Sequence, residues 1–350
     1  MDKKTIIVKT ILILALMCFA GYTMLYKSRS DVESDSQSCQ SEKDVEAVSL
    51  EETSETVSFA VSSNSSLFIK SLSVFTDSSG TDYLTFLSNE QPEIYVYRLD
   101  NRQLVKTIGF QKEGADGVGP RAAGYMMKDW NEIYIPNLFT PEISVIDSSG
   151  HKLRSIDLTR WNREYQPVPT RSVVGNPLIF HENKVYCMQL PNPYRGEGKK
   201  SGSPVDIQID LEKGDISPLL MEYPSGILRD SGEPSLGIED GVSRCFDGKH
   251  FVYSFSFDED IHILSSDGKT IETKQAKSRY IDDLKLPENI PSDFKLSVKM
   301  MCEWPFYSNL VYDKYRRLYY RFVFPQTELD NDENFADLWL MLFTTALRYI

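Results

Sequence analysis

Four stretches of one kind decide the fold: Glu93-Ile-Tyr-Val-Tyr-Arg-Leu-Asp-Asn-Arg102, Glu142-Ile-Ser-Val-Ile-Asp-Ser-Ser-Gly150, Asp206-Ile-Gln-Ile-Asp-Leu-Glu-Lys-Gly214 and Asp260-Ile-His-Ile-Leu-Ser-Ser-Asp-Gly268. Each alternates branched or aromatic residues with polar ones at the strand period and then breaks at an Asp/Asn/Gly turn. A second alternating stretch precedes each copy, at residues 82–87, 132–135, 184–188 and 250–255, and a fifth lies at 317–324. Outer strands follow the turns at 103–108, 152–156 and 269–273. The turns recur at Asp100, Ser148, Glu212 and Asp267, a spacing of 48, 64 and 55 residues, which is one four-stranded blade plus variable loops. The pattern predicts an all-β chain folded as a β-propeller. Only four copies follow the five preceding strands, so the last blade is expected to be incomplete or to borrow strands from residues 57–74.

Strand direction in an up-and-down blade assigns the tight turns between third and fourth strands to one face. Connections between second and third strands (137–141, 191–204, 257–260 and 325–334) and between blades (111–123, 159–177, 222–242 and 277–307) fall on the other. The long loops therefore gather where a rigid scaffold would present a binding site.

The chain has 350 residues, 41% of them hydrophobic and 12% aromatic, as one β-rich domain with a leader would. Its net charge of −13 and pI near 4.9 argue against nucleic acid, which needs a clustered Lys/Arg footprint. Three regions are expected: residues 1–27 as signal peptide or membrane anchor, 28–56 as an acidic disordered tether, and 57–350 as the propeller. The basic start Met1-Asp-Lys-Lys4 and the apolar run 11–22 read as an export signal. Three fates stay open: cleavage after Ala20, lipidation at Cys18, or an uncleaved helix over residues 5–26 that anchors the chain in a membrane. All place the body outside the cytoplasm, in the cell envelope. Between Asp31 and Thr56, nine acidic residues face one lysine, a composition that resists folding.

The run Lys106-Thr-Ile-Gly-Phe-Gln-Lys-Glu-Gly-Ala-Asp-Gly-Val-Gly119, with Asn131-Glu-Ile-Tyr-Ile135, Phe251-Val-Tyr-Ser-Phe255 and Tyr312-Asp-Lys-Tyr-Arg-Arg-Leu-Tyr-Tyr-Arg-Phe322, resembles an uncharacterised Bacteroidetes family of exported six-bladed propellers related to the NHL and TolB-like groups. The resemblance covers residues 67–335 and implies six blades and an envelope location. It transfers no catalytic residue. The apolar end, Leu338-Trp-Leu-Met-Leu-Phe343 onward, departs from the final hairpin that such proteins carry.

Chemistry-bearing motifs are sparse. Gly114, Gly117 and Gly119 lack the order of a dinucleotide loop and the lysine of a P-loop. Asp330-Asn-Asp-Glu-Asn334 starts like a calcium loop, but Phe335 stands where glycine is needed and Met341 where a glutamate is needed. A looser cation site would combine Asp330 and Asp332 with Asp258 and Asp260. His151, His181, His250 and His262 are unpaired at ligand spacing, and His262 should point away from the packing shared by Ile261 and Ile263. Cys18, Cys39, Cys187, Cys245 and Cys302 form neither a zinc pattern nor a disulfide framework.

No metal or cofactor is called for. Aromatic and basic residues in the long loops, namely Trp161, Arg163, Tyr194, Arg195, Trp304 and Tyr307, would make a stacking and hydrogen-bonding platform if they converge. These observations favour a non-catalytic envelope propeller that binds a partner protein or a glycan. The alternative is an exported polysaccharide hydrolase or lyase using loop carboxylates.

Overall fold

The repeated strands form sheets in chain order. A computed structural model describes residues 7–9, 55–61, 69–88, 91–120, 122–137, 140–160, 169–190, 202–225 and 241–328. At its start, β1 (Ile7–Lys9) pairs antiparallel with β2 (Ser58–Ala60). The rest of the leader and most of the acidic stretch lie outside the described residues. No helix among the described residues is long and apolar enough to cross a membrane.

Sheet 1 comprises β3 (Ile69–Thr76), β4 (Asp82–Ser88), β5 (Glu93–Arg98) and β6 (Leu104–Gly109). Sheet 2 comprises β7 (Met126–Met127), β8 (Ile133–Pro136), β9 (Glu142–Ile146) and β10 (Lys152–Asp157). Sheet 3 has β11 (Ile179–His181), β12 (Lys184–Met188), β13 (Asp206–Asp210) and β14 (Ile216–Pro218). Sheet 4 has β15 (Val242–Phe246), β16 (His250–Phe255), β17 (Asp260–Ser265) and β18 (Ile271–Gln275). Each of the four is an antiparallel meander in sequence order. The fifth sheet has two described strands, β19 (Phe306–Asp313) and β20 (Leu318–Phe324).

Alternation stacks these sheets face to face. From sheet 1, Leu87, Ile94 and Val96 meet Ile133 and Ile135 of sheet 2, while Leu84, Phe86, Tyr95 and Tyr97 turn the other way and pack on Phe59. Tyr134 and Val145 of sheet 2 meet Val185 and Ile207 of sheet 3, whose Tyr186 and Met188 meet Phe251 and Tyr253 of sheet 4. Val252 and Cys245 then meet Leu310 of the fifth sheet. Sheets buried on both faces, with fourth strands as exposed as β18, make a β-propeller. Among the described residues, these five sheets and the separate β1–β2 pair are present, and β20 has no described partner beyond β19.

The first strands are sewn together near the centre. The Ser71 hydroxyl donates to the Ser172 carbonyl at 2.7 Å, and the Ser172 hydroxyl donates to the Tyr125 carbonyl at 3.0 Å. The Ser243 hydroxyl donates to the Gly175 carbonyl at 2.7 Å and accepts the Leu310 N–H at 2.8 Å. Gly124 (φ +89°) admits this approach, since a Cβ there would lie 2.0 Å from the Ser172 carbonyl oxygen.

The turns owe their shape to carboxylates. Asp77, Asp129, Asp147, Asp210, Asp247 and Asp313 each accept N–H groups two to four residues on, the Asx-turn chemistry that replaces missing ladder bonds.

One element is absent from the sequence reading. The stretch expected as a loop at 277–307 contains α1 (Phe294–Glu303), capped by the Asp293 side chain, which accepts the Leu296 N–H at 2.9 Å. The placement of His262 agrees with the alternation: Ile261 and Ile263 pack with Cys245, and the His262 ring lies on the opposite side against Phe255, 5.6 Å away.

Candidate functional site: a polar cleft between the first two sheets

Strict assignment of turns to one face and long loops to the other does not survive the twist of the sheets. Each strand is rotated against its neighbour, so a blade's outer turn swings toward the preceding blade. The β9–β10 turn of sheet 2 thereby packs on the end of β6. Gly150 (φ +85°) sits so close that a Cβ would lie 1.8 Å from the Gly109 carbonyl oxygen, and Lys106 Nζ donates to the Ser148 hydroxyl at 2.9 Å.

Between these segments lies a cleft of about 330 Å³. Its polar lining comes from three separated stretches: Gln91 and Glu93 at the start of β5, Gln111 and Asp116 beyond β6, and Ser149 and His151 in the turn. The walls are held by backbone bonds. Phe110 N–H donates to the Pro92 carbonyl at 2.9 Å, Val118 N–H to the Gln111 carbonyl at 2.9 Å, and Glu93 N–H to the Gln91 carbonyl at 2.8 Å. Lys152 Nζ ties the same wall down by donating to the Gly117 carbonyl and to Glu142 Oε1, each at 3.0 Å.

The glycine-rich run is thus a closed turn, as its sequence implies. Within the lining, Glu93 Oε2 accepts the Tyr95 hydroxyl at 2.7 Å, and His151 Nδ1 lies 3.6 Å from Asp147. The side chains of Gln91, Gln111, Asp116 and Ser149 make no hydrogen bond among the described residues.

The residues expected to carry the site are differently placed. Trp161, Arg163, Tyr194 and Arg195 lie outside the described residues, as do Asp330, Asp332 and Cys18. Trp304 ends α1 and donates its indole N–H to the Lys285 carbonyl at 2.8 Å. Tyr307 is an internal residue, 1% exposed: its phenol oxygen accepts the Ser278 N–H at 2.8 Å, and the Arg321 guanidinium lies 3.4 Å above its ring. This corrects its reading as a surface platform. Its strand begins at Phe306, and the alternation turns Tyr307 inward.

Asp258 is engaged by His262 Nε2 at 2.8 Å and by the Asp260 N–H at 2.9 Å. Burial pushes its carboxyl up, but these bonds and the charges of His262 and Arg321 outweigh that and hold it below the usual range. Among the described residues, no three His, Cys, Asp or Glu side chains are grouped to hold a metal.

Two buried arginines escape the sequence reading. Arg244 and Asp206, both without exposed surface, form an ion pair between sheets 4 and 3; the Tyr253 hydroxyl also donates to Asp206 at 2.7 Å. Burial pushes the Asp206 carboxyl up against the pull of Arg244 and Tyr253. Arg321 Nε donates to the Ser254 hydroxyl at 2.7 Å, and its Nη1 donates to the carbonyls of Glu259 at 2.8 Å and Ala276 at 3.1 Å. Both arginines join one sheet to the next.

Residues 47–350 match the sequence profile of a domain of unknown function, DUF4221. A solved DUF4221 member from Bacteroides vulgatus is similar over 79% of this chain and 76% of its own, at 22% identity and a TM-score of 0.65. An exported-protein candidate from Bacteroides fragilis is similar over 76% and 71%, at 12% identity and a TM-score of 0.45. The β-propeller domain of Cps50 (Swd1) from Myceliophteria thermophila is similar over 77% and 71%, at 10% identity and a TM-score of 0.34. No curated protein matches the chain.

Proposed function

The chain belongs to the DUF4221 family, and from that premise we propose that it is a non-catalytic binding propeller of the cell envelope, taking a partner protein or a glycan. One observation carries the reading. Most aspartates of the described turns are engaged by their own backbone, whereas Gln91, Gln111, Asp116 and Ser149 line an open surface cleft with their side-chain hydrogen-bonding groups uncommitted. Polar groups left free on loops and turns that backbone bonds hold to the strands are what recognition needs.

The basic, apolar leader and the acidic stretch after it support an envelope location, with the membrane reached through the N-terminal segment. The test is photo-crosslinking in intact cells from a probe placed at Lys112 of the full chain, exposed beside the cleft and outside its lining, with fractionation of the product. A single dominant adduct in the envelope fraction is expected. No adduct from Lys112, or a chain found only in the cytoplasm, would overturn the proposal.

A further inference from the structure

We infer that the cleft between the first two sheets takes a neutral, hydroxyl-rich saccharide; this rests on the binding reading above and narrows it. The glutamine heads of Gln91 and Gln111 each present a donor and an acceptor side by side, the arrangement that adjacent sugar hydroxyls match, since every hydroxyl both gives and accepts. Ser149 adds another group of the same dual kind. The Asp116 and Glu93 carboxylates accept only, and among the described residues no lysine or arginine lines the cleft. A phosphate or uronate would meet like charge there, while the nearest lysines, Lys106 and Lys152, stand behind the lining and are committed to Ser148 and to Gly117 with Glu142.

The volume of about 330 Å³ lies at the lower end of small-ligand clefts, roughly 300–1,000 Å³. Pro92, partly exposed, supplies an apolar edge against which the C–H face of a sugar ring can lie. An extended peptide would instead need unpaired backbone groups. Those of Glu93 and Phe110 are already taken by Gln91 and Pro92.

The inference is tested by calorimetric titration of the full chain with maltotriose, cellotriose and mannotriose, beside trigalacturonate. The variants are Gln111→Ala, Asp116→Asn and Ser149→Trp, each checked for an unchanged thermal midpoint. Ser149 is exposed and only its backbone is bonded, so the tryptophan fills the cleft without disturbing the turn. The expected result is that at least one neutral trisaccharide binds, that Ser149→Trp and Gln111→Ala each weaken it about tenfold or more, and that Asp116→Asn narrows the margin over trigalacturonate.

Binding that survives Ser149→Trp, or trigalacturonate bound more tightly than every neutral sugar, overturns the inference and leaves the general binding reading standing. So does the absence of sugar binding while the Lys112 probe captures an envelope protein. Failure of both the titration and the crosslink overturns both readings.

Discussion

Arg244 of sheet 4 and Asp206 of sheet 3 form an ion pair from which solvent is wholly excluded, with Tyr253 as a third member. Such a pair contributes little against an apolar replacement but leaves a large penalty when halved. Arg244→Met or Asp206→Leu alone is expected to cost about 3–5 kcal/mol in denaturant unfolding. The double variant should recover most of that loss. A double variant as unstable as the sum of the two singles would show that the residues act independently.

Arg321 is the other internal cation, and its main partners are carbonyls. Burial pulls its guanidinium down to about 10, with Tyr307 and nearby carboxylates acting against that, so it stays charged at neutral pH. Lysine offers three donors from one point and cannot span the carbonyls of Glu259 and Ala276 while reaching Ser254. Arg321→Lys is therefore expected to lose about 2–3 kcal/mol of stability. A variant as stable as the native chain in the same unfolding measurement would contradict the described network.

Gly150 is required twice, by its φ of +85° and by the Gly109 carbonyl against it. A side chain in the left-handed region alone costs roughly 1–2 kcal/mol. Gly150→Ala should exceed that and also move the turn off β6. Amide exchange read by mass spectrometry should show faster exchange at residues 104–110 as well as at the turn. Faster exchange at the turn alone would refute the contact.

Acid should loosen the junction of sheet 4 and the fifth sheet. Burial pushes the Asp247 carboxyl up, but the Tyr319 hydroxyl at 2.5 Å, the His250 ring and two backbone N–H groups hold it down, to about 2. A folded value below the unfolded one of about 3.9 means stability present above about pH 4 and lost as pH falls toward about 2. Asp247→Asn should be less stable at neutral pH by ~2 kcal/mol. It should also lose less than the native chain between pH 4 and 2. Parallel stability curves for the two proteins would sink the assignment.

The strands and turns are legible because two local signals coincide in them, period-2 alternation and a turn aspartate. The same alternation correctly turns His262 away from Ile261 and Ile263. It cannot report the Asp206 and Arg244 pair, since polar residues at alternate positions look solvent-facing until a second sheet is known to cover them. The clue lies in β13: with Ile207 and Ile209 facing sheet 2, Asp206 has to face sheet 4. Tyr307 misleads for a related reason, because nothing local marks Phe306 as the start of a strand.

The cleft is illegible altogether. Its lining comes from residues 91–93, 109–116 and 149–151, and only the cumulative twist of the sheets brings the last group beside the others.

Ser172 gives the central stitching a consequence in time. It precedes the third sheet in the chain, yet its carbonyl receives Ser71 of the first sheet and its hydroxyl reaches Tyr125 beside the second. A chain made from its N-terminus thus has the packing of its first two sheets, and the Tyr125 to Thr85 hydroxyl bond between them, before Ser172 is synthesised. Ser172 adds its tie only as the third sheet's sequence begins, so the last link between the first two sheets comes with the approach of the next.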